Sequence, residues 1–348
     1  MLRLKIVRQN MTRRKRIYLV GLFVIVSALT TIQFLKGHYE ARRNRLKILD
    51  DYLESVGANL TQTSIQRLPN AIIIGAEKCG TGALTRFLAQ HPLIKAPINL
   101  ERFFFNNEHY QDSMEKYIKS LPAAKDYEIV IEKTPAYLKA LGTSERIHRT
   151  IPDAKIILLL CDPVNRTYSD FLQHKNIGDI NEAANFDTFV GREIEKLYEN
   201  FEKYATFHEK VFENYVLSGE ANFQLSHIVS SGMYYYYVKY WLKTWKLNEN
   251  FLILNGETFL RTPWKTLDKV QQFLGIPKII NENDFKQQST GFYCIHQLYN
   301  KEFLCFSKNN KGRSRLQNHE WAPEILRKFF AKSNEKLYSL IGETFDWQ

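Results

Sequence analysis

A glycine-rich loop that follows a buried apolar run is the segment of this sequence best suited to chemistry. The run is Ala71–Gly75, and the loop that follows it, residues 76–82, contains Lys78. A loop of small residues that enters a helix presents backbone N–H groups and the positive end of the helix dipole, which suit a phosphate group. Because Gly80 is followed by Thr81-Gly82 and not by a lysine, the loop is not a Walker A motif, and a nucleoside triphosphatase is disfavoured. The alternative is an ordinary strand–helix turn. We call residues 76–82 the glycine loop.

The elements around the glycine loop predict an α/β fold. After Ala71–Gly75 a helix is expected over 83–90, and two more apolar runs, Ile156–Leu160 and Phe251–Leu254, are each followed by a tight loop and a helix. Short, continuous apolar runs are typical of central strands in a parallel sheet. The threefold recurrence of strand, loop and helix therefore predicts a mainly parallel central sheet flanked by helices.

An uncharged stretch near the start predicts a membrane anchor. Residues 17–35 carry no charge, and a helix of this length spans about 28 Å, close to the thickness of a bilayer core. The residues before it include seven basic and no acidic side chains, so the positive-inside tendency places the N-terminus in the cytosol. A cleaved signal peptide is the alternative, disfavoured by the length of the stretch. We expect a cytosolic tail (1–16), a transmembrane signal anchor (17–35), a stalk (36–68) and a lumenal domain (69–348).

Composition narrows the class of partner. The chain has 348 residues, 44% apolar content and a net charge of +11, which together indicate a packed domain with an anionic partner. Nucleic acid, a membrane surface and an acidic polysaccharide all fit the charge alone. A lumenal domain disfavours nucleic acid. No group of histidine, cysteine and carboxylate residues has the spacing of a metal site, so we expect no metal.

Cysteines and glycosylation sequons agree with a lumenal domain. Cys294 and Cys305 are close enough in sequence to close a short hairpin by a disulfide, although two buried free thiols are the alternative. Asn59 begins a sequon just beyond the predicted membrane segment, and we expect it to be glycosylated. The sequons at Asn10 and Asn165 fall in the cytosolic tail and in a predicted buried helix, so we expect neither to be used.

Further segments follow the glycine loop in a fixed order. They are Glu132–Tyr137, Asp162-Pro163 with Arg166, Ser169, Asp170 and Gln173, Gly256-Glu257, Gly291–Cys294, Lys311–Arg313 and Phe345–Trp347. In this order they resemble heparan sulfate sulfotransferases, above all the glucosamine 3-O-sulfotransferase group, with the glucosaminyl N-sulfotransferase domain as a near relative. The resemblance extends from about Pro69 to Gln348 and implies a P-loop-like sulfotransferase fold.

This resemblance implies the reaction. A sulfuryl group passes from 3′-phosphoadenylyl sulfate to a sugar hydroxyl by in-line displacement, analogous to phosphoryl transfer. Lys78 is implied to neutralise the charge that develops on the leaving group. Glu101 is implied to take the proton from the hydroxyl, because it precedes Phe104-Phe105 as the family's base precedes its own Phe-Phe pair. The 5′-phosphate is implied to bind the loop residues Lys78, Cys79, Gly80, Thr81, Gly82 and Ala83.

The resemblance also implies the remaining contacts. The 3′-phosphate is assigned to Ser169, Lys311, Gly312 and Arg313. The polysaccharide cleft is assigned to Lys133, Gln173 and the nearby Arg166. Basic side chains suit a substrate that carries carboxylates and sulfates, and such binding is weakened by salt.

Four positions depart from the family pattern. Cys161 stands where the family has an arginine that helps bind the 3′-phosphate, and Gly82 stands where the 3-O group has an arginine. Loss of a charged hydrogen bond to phosphate costs about 1.5–3 kcal/mol, so weaker donor binding is expected. Phe103 and Asn106 replace a histidine and an aspartate near the base, which bears on the position that is sulfated.

The predicted anchor indicates only the secretory pathway. The resemblance adds the Golgi as the compartment and implies a single-pass enzyme that sulfates the 3-hydroxyl of glucosamine in heparan sulfate. N-sulfation, or transfer to another glycan, is an alternative within the same class. A membrane-tethered polysaccharide-binding protein without activity is the alternative from another class, motivated by Cys161 and Gly82.

Overall fold

The computed structural model describes residues 43–97, 100–203, 227–297, 302–306 and 321–347, with scattered positions between 26 and 40. The predicted anchor, 17–35, lies almost entirely outside the described residues, as does the Lys311–Arg313 segment. Within the described part of the chain, no helix combines the length and apolar character needed to cross a membrane. Two compact units are present, Met1–Ala58 and Asn59–Gln348, and the first contains the helical residues 43–55.

The strands of the second unit form one larger and two smaller sheets. They are β1 (Ile65–Gln66), β2 (Ala71–Gly75), β3 (Ile94–Lys95), β4 (Ala123–Ala124), β5 (Ile129–Lys133), β6 (Lys155–Leu160), β7 (Phe251–Asn255), β8 (Phe285–Gln287), β9 (Tyr293–His296) and β10 (Phe303–Leu304). The larger sheet has the order β3-β5-β2-β6-β7, and all its neighbours are parallel. All five residues of β2 are buried, as are the last five of β6. Burial on both faces explains why these strands are continuous apolar runs in the sequence.

Helices cover the sheet. The α-helices are α1 (Thr81–Leu88), α2 (Met114–Ser120), α3 (Thr143–Thr150), α4 (Pro163–Asn176), α5 (Phe186–Lys203), α6 (His227–Ser230), α7 (Tyr234–Trp241), α8 (Gly256–Arg261), α9 (Pro263–Leu274) and α10 (Ala322–Ile341). Short 3₁₀ helices are Phe104–Asn106, Tyr110–Ser113, Pro135–Lys139 and Glu282–Asp284. The predicted parallel sheet with flanking helices is confirmed. The predicted first helix begins two residues earlier than expected, at Thr81, and α8 is an additional helix directly after β7.

The two smaller sheets are antiparallel. β8, β9 and β10 form an antiparallel sheet in the order β10-β9-β8, and β1 pairs with β4. The disulfide predicted between Cys294 and Cys305 is present and ties β9 to the residue that follows β10. This bond holds the strand that precedes the Lys311–Arg313 segment.

Candidate active site

The carboxyl ends of the parallel strands bring the family motifs to one edge of the sheet. The glycine loop follows β2, Lys133 ends β5, Asp162 comes two residues after β6, and Gly256 follows β7. The strands are adjacent in the order β5-β2-β6-β7. Because parallel strands all end at the same edge, segments far apart in sequence become neighbours there, and this is where α/β sheets bind ligands.

The glycine loop has two left-handed residues. Lys78 has φ 71° and Gly80 has φ 94°, and Gly80 is the N-cap of α1. Within the loop, the Cys79 N–H donates to the Ala76 carbonyl at 3.2 Å, and in the first turn of α1 the Ala83 N–H donates to the Gly80 carbonyl at 2.9 Å. These two predicted phosphate ligands therefore use their N–H groups internally. The first-turn N–H groups of Thr81 and Gly82 have no partner inside the helix and remain suited to a phosphate.

The sequence-predicted catalytic lysine meets a predicted cleft residue. Lys78 Nζ donates a hydrogen bond to Gln173 Oε1 on α4. The neighbouring Glu77 pairs with Lys139, from the 3₁₀ helix after β5, at 2.7 Å. The loop residues Lys78 and Glu77 are thus held by side chains from α4 and from the 3₁₀ helix after β5. The pairing of Glu77 with Lys139 was not predicted from the sequence: Glu77 lies in the glycine loop but had no predicted role, and Lys139 lies beyond the Glu132–Tyr137 segment.

The predicted base and the predicted acceptor lysine form an ion pair. Glu101 Oε1 lies 2.5 Å from Lys133 Nζ, and the two side chains are 35% and 9% exposed. The carboxylate is therefore reachable from solvent while the ammonium that steadies it is nearly buried. A carboxylate in this position can accept a proton from an incoming hydroxyl, and the lysine can orient it or bind the acceptor.

A buried carboxylate supports the segment that carries Glu101. Glu132 accepts hydrogen bonds from Tyr117 Oη at 3.1 Å and from Thr134 Oγ1 at 2.6 Å. Thr134 Oγ1 in turn accepts from the backbone N–H of Arg102 at 2.9 Å. Burial raises the pKa of Glu132 to about 7. Glu132 had no role predicted from the sequence. Its position inside the apolar run of β5 was the signal, because a buried carboxylate needs partners.

Aromatic packing fixes the same segment from the other side. The rings of Phe104 and Tyr117 stack with centroids 3.9 Å apart. Phe105 contacts both of these rings, and Tyr110 contacts Phe104 and Phe105. Phe103 has φ 50°, and the residue is 49% exposed, two positions from Glu101. An apolar ring therefore lies on the surface in the segment that carries the predicted base.

The turn after β6 is a hydrogen-bonded cap. Asp162 Oδ1 accepts from the Val164 N–H at 2.8 Å and so caps α4. The Asp162 N–H donates to Glu257 Oε1 at 3.0 Å, and Glu257 Oε2 accepts from Trp347 Nε1 at 2.9 Å. Burial raises the pKa of Asp162 to about 6, with a further contribution from the nearby Glu257 charge. Three separate family segments are thus one network.

Two predicted residues on α4 differ in accessibility. The prediction that Arg166 lines the acceptor cleft disagrees with the structure, because its side chain is fully buried, pairs with Asp170 at 3.1 Å and donates to the Ile228 carbonyl. The sequence alone does not distinguish a charged helix residue that binds a substrate from one that is buried in an internal ion pair. Ser169 is half-buried on the same helix. Asn165, expected to be buried, is exposed, and its amide donates to Asp162 at 2.7 Å.

A second disulfide joins the glycine loop to the turn after β6. Cys79 and Cys161 are bonded, with their Cα atoms 5.3 Å apart. The sequence places the two cysteines in different motifs, and this pairing was not predicted. The available signal was that each follows a predicted strand within four residues. The four cysteines of the chain are all in disulfides.

Comparisons with known proteins agree with this geometry. A family model described as "Sulfotransferase domain" matches residues 68–346. Heparan sulfate glucosamine 3-O-sulfotransferase 5 of Mus musculus is 31% identical over 285 residues, covering 81% of this chain and 75% of that protein. Heparan sulfate glucosamine 3-O-sulfotransferase 3A1 of Homo sapiens is 29% identical over 291 residues, covering 83% and 65%. A crystal structure of a sulfotransferase from Alicyclobacillus acidocaldarius has the same fold, with a TM-score of 0.52 at 23% identity, covering 80% of this chain and 98% of that one.

Proposed function

Because the chain belongs to the sulfotransferase family and is similar to heparan sulfate glucosamine 3-O-sulfotransferases, we propose that it transfers a sulfuryl group from 3′-phosphoadenylyl sulfate to the glucosamine 3-hydroxyl of heparan sulfate. The proposal rests on two side-chain contacts of residues that end or follow neighbouring strands of the sheet. Lys78 donates a hydrogen bond to Gln173, and Glu101 forms an ion pair with Lys133. A cation for the leaving group and a base for the acceptor are both required by this reaction.

The residues of the glycine loop fit the donor's 5′-phosphate. α1 has no acidic residue in its first turn, and its N-cap is a left-handed glycine. An anion at this end is favoured by the helix dipole and by the unpaired N–H groups of Thr81 and Gly82. Lys78 neutralises the charge that develops as the sulfuryl group departs. Ser169, Lys311, Gly312 and Arg313 are proposed to hold the 3′-phosphate.

The acceptor is proposed to approach from the Glu101 side. Glu101 takes the proton from the attacking hydroxyl, and Lys133 holds the carboxylate in place and attracts the anionic polysaccharide. Gln173 is proposed to line the acceptor cleft, and its side chain accepts a hydrogen bond from Lys78. Arg166 is omitted from this set because it is fully buried.

The proposed location is the Golgi membrane. We propose a cytosolic tail (1–16), a signal anchor (17–35), a stalk (36–68) and a lumenal catalytic domain (69–348). Disulfides persist in the oxidising secretory pathway and are rare in the cytosol, so the two disulfides of this chain favour a lumenal domain. The exposed Asn59 is proposed to carry a glycan.

The test is transfer of labelled sulfate to heparan sulfate by the full-length protein, followed by mapping of the labelled disaccharides. Label is expected on the glucosamine 3-hydroxyl. Glu101→Gln is expected to lower kcat by about 10²-fold or more, because the base is lost and the volume is kept. Glu108→Gln, an exposed carboxylate seven residues further on, is the matched control and should retain activity.

Each other outcome corrects a different part of the proposal. Label on nitrogen or on another hydroxyl would change the position that is sulfated. Full activity of Glu101→Gln would remove Glu101 as the base. No transfer by the folded wild-type protein to any glycan would favour a polysaccharide-binding protein without activity.

A further inference from the structure

The Cys79–Cys161 disulfide lies where two parts of the proposed donor site meet. Cys79 is in the glycine loop after β2, and Cys161 directly follows β6, the neighbouring strand. Cys161 also precedes Asp162, which caps α4, and α4 carries Gln173 and Ser169. The bond therefore links the loop that faces the 5′-phosphate to the turn that begins the helix assigned to the 3′-phosphate.

The bond also lies beside a backbone conformation that needs support. Lys78, the residue before Cys79, has φ 71°. A residue with a side chain is disfavoured in this left-handed region and stays there only when its surroundings impose it. Here the Ala76 N–H donates to the Leu159 carbonyl at 2.8 Å on one side of Lys78, and Cys79 is covalently bonded to Cys161 on the other. Both restraints come from β6 and the turn after it.

Close packing against Gly256 fixes the turn after β6, which contains Cys161, to the end of the sheet. A Cβ placed on Gly256 would lie 2.8 Å from Cys161 Cβ and 2.8 Å from the Leu160 carbonyl oxygen. Asp162 is held by Glu257, and Tyr234 Oη lies 3.5 Å from Cys79 Sγ. The Cys161 end of the bond is thus fixed to the sheet, so it can fix the loop.

From these contacts we propose that the Cys79–Cys161 disulfide is a positioning element that holds the left-handed backbone of Lys78 and thereby aims the Lys78 ammonium at the donor's leaving group. The inference rests on the proposed function. Cys161 stands where the family has an arginine that helps bind the 3′-phosphate. In this chain Cys161 loses that phosphate contact but restrains the glycine loop through its bond to Cys79.

The test compares the wild type with a Cys79→Ala/Cys161→Ala variant, using binding of adenosine 3′,5′-bisphosphate by calorimetry and steady-state kinetics. The dissociation constant for the bisphosphate and the donor KM are expected to rise about tenfold, the equivalent of one weakened charge-assisted contact. The acceptor KM is expected to stay within about twofold, since Glu101 and Lys133 are positioned by other contacts.

A double-mutant cycle with Lys78→Ala separates aiming from general loop stability. The Lys78→Ala protein has no ammonium whose position the disulfide could fix. Removing the disulfide from this protein should therefore weaken bisphosphate binding by less than about twofold. Val190→Ala, a buried truncation on α5, controls for lowered stability and should leave bisphosphate binding unchanged.

The outcomes are distinguishable. Unchanged bisphosphate binding in the cysteine variant, or an equal loss with and without Lys78, would overturn the positioning role while leaving the proposed function intact. A wild-type protein that neither binds the bisphosphate nor transfers sulfate would overturn the proposed function, and this inference with it.

Discussion

Replacing the buried Glu132 with glutamine is expected to change how stability depends on pH. Burial raises the pKa of Glu132 from 4.5 to about 7 in the folded protein. A group with a raised folded pKa stabilises the fold fully below its unfolded pKa, and this contribution is lost as pH rises through the folded pKa. The contribution of Glu132 is therefore complete near pH 4.5 and gone above about pH 7.

The magnitude follows from the two pKa values. The folded and unfolded pKa values differ by about 2.5. A pKa difference of one corresponds to about 1.4 kcal/mol, so the free energy of unfolding of the wild type falls by about 3 kcal/mol between about pH 4.5 and pH 7 because of Glu132. Glutamine stays neutral, and its amide oxygen and N–H groups can still bond with Tyr117 and Thr134. Asp162, whose pKa is raised to about 6, contributes equally to both proteins and cancels in the comparison.

The assay is urea denaturation of the full-length wild type and Glu132→Gln at several values between about pH 4.5 and about pH 8. The free energy of unfolding of the wild type should fall by about 3 kcal/mol more than that of the variant over this interval, with unchanged m-values. Glu115→Gln, on an 81% exposed side chain, is the control and should follow the wild type. Parallel pH profiles for the wild type and Glu132→Gln would refute the reasoning, because they would mean that Glu132 keeps the same pKa when the chain unfolds.

Three further predictions concern stability and modification. Removal of the Cys79–Cys161 disulfide, which closes a loop of 82 residues, should lower the free energy of unfolding by about 4.5 kcal/mol. Removal of the Cys294–Cys305 disulfide, which closes a loop of 11 residues, should lower it by about 3 kcal/mol. A larger loss for Cys294–Cys305 in urea titrations would contradict this prediction. Arg166→Met should destabilise by about 3–5 kcal/mol because it leaves the Asp170 carboxylate buried without its partner, whereas an unchanged urea midpoint would place Arg166 outside the core. Asn59→Gln should remove one glycan from the full-length protein expressed in animal cells, and an unchanged mass on gel electrophoresis would show that this site is not used.

Much of the fold could be predicted because its strands are buried on both faces. β2, β6 and β7 are short apolar runs followed by tight loops, and this pattern identified them and the edge of the sheet at which they end. The Glu101–Lys133 pair was predicted only as two separate residues. Their ion pair depends on how the segment before the Phe-Phe pair folds over β5, and local pattern carries no information on such contacts.

Burial of charged residue types is the feature that the sequence pattern does not reveal. Arg166 was predicted to line the acceptor cleft and Glu132 had no predicted role, yet both side chains are buried. The Ile228 carbonyl that accepts from Arg166 and the Tyr117 hydroxyl that donates to Glu132 come from helices α6 and α2. The pairing of Cys79 with Cys161 likewise depends on strand order, since β2 and β6 are separated in sequence by β5 but are neighbours in the sheet. Side-chain chemistry is visible in a sequence, whereas the partner that decides its role is set by topology.

The 82-residue span of the Cys79–Cys161 disulfide has a consequence for biosynthesis. Chain elongation delivers Cys79 first, and the bond cannot form until β6 and Cys161 have also emerged from the ribosome. By then β5, which lies beside β2, has already been made. Because a thiol pair is oxidised only where the redox environment permits it, the glycine loop reaches its final covalent form only after the first 161 of the 348 residues have been made, and only in such a compartment. A copy of the chain retained in a reducing compartment would have the same amino-acid sequence without this restraint.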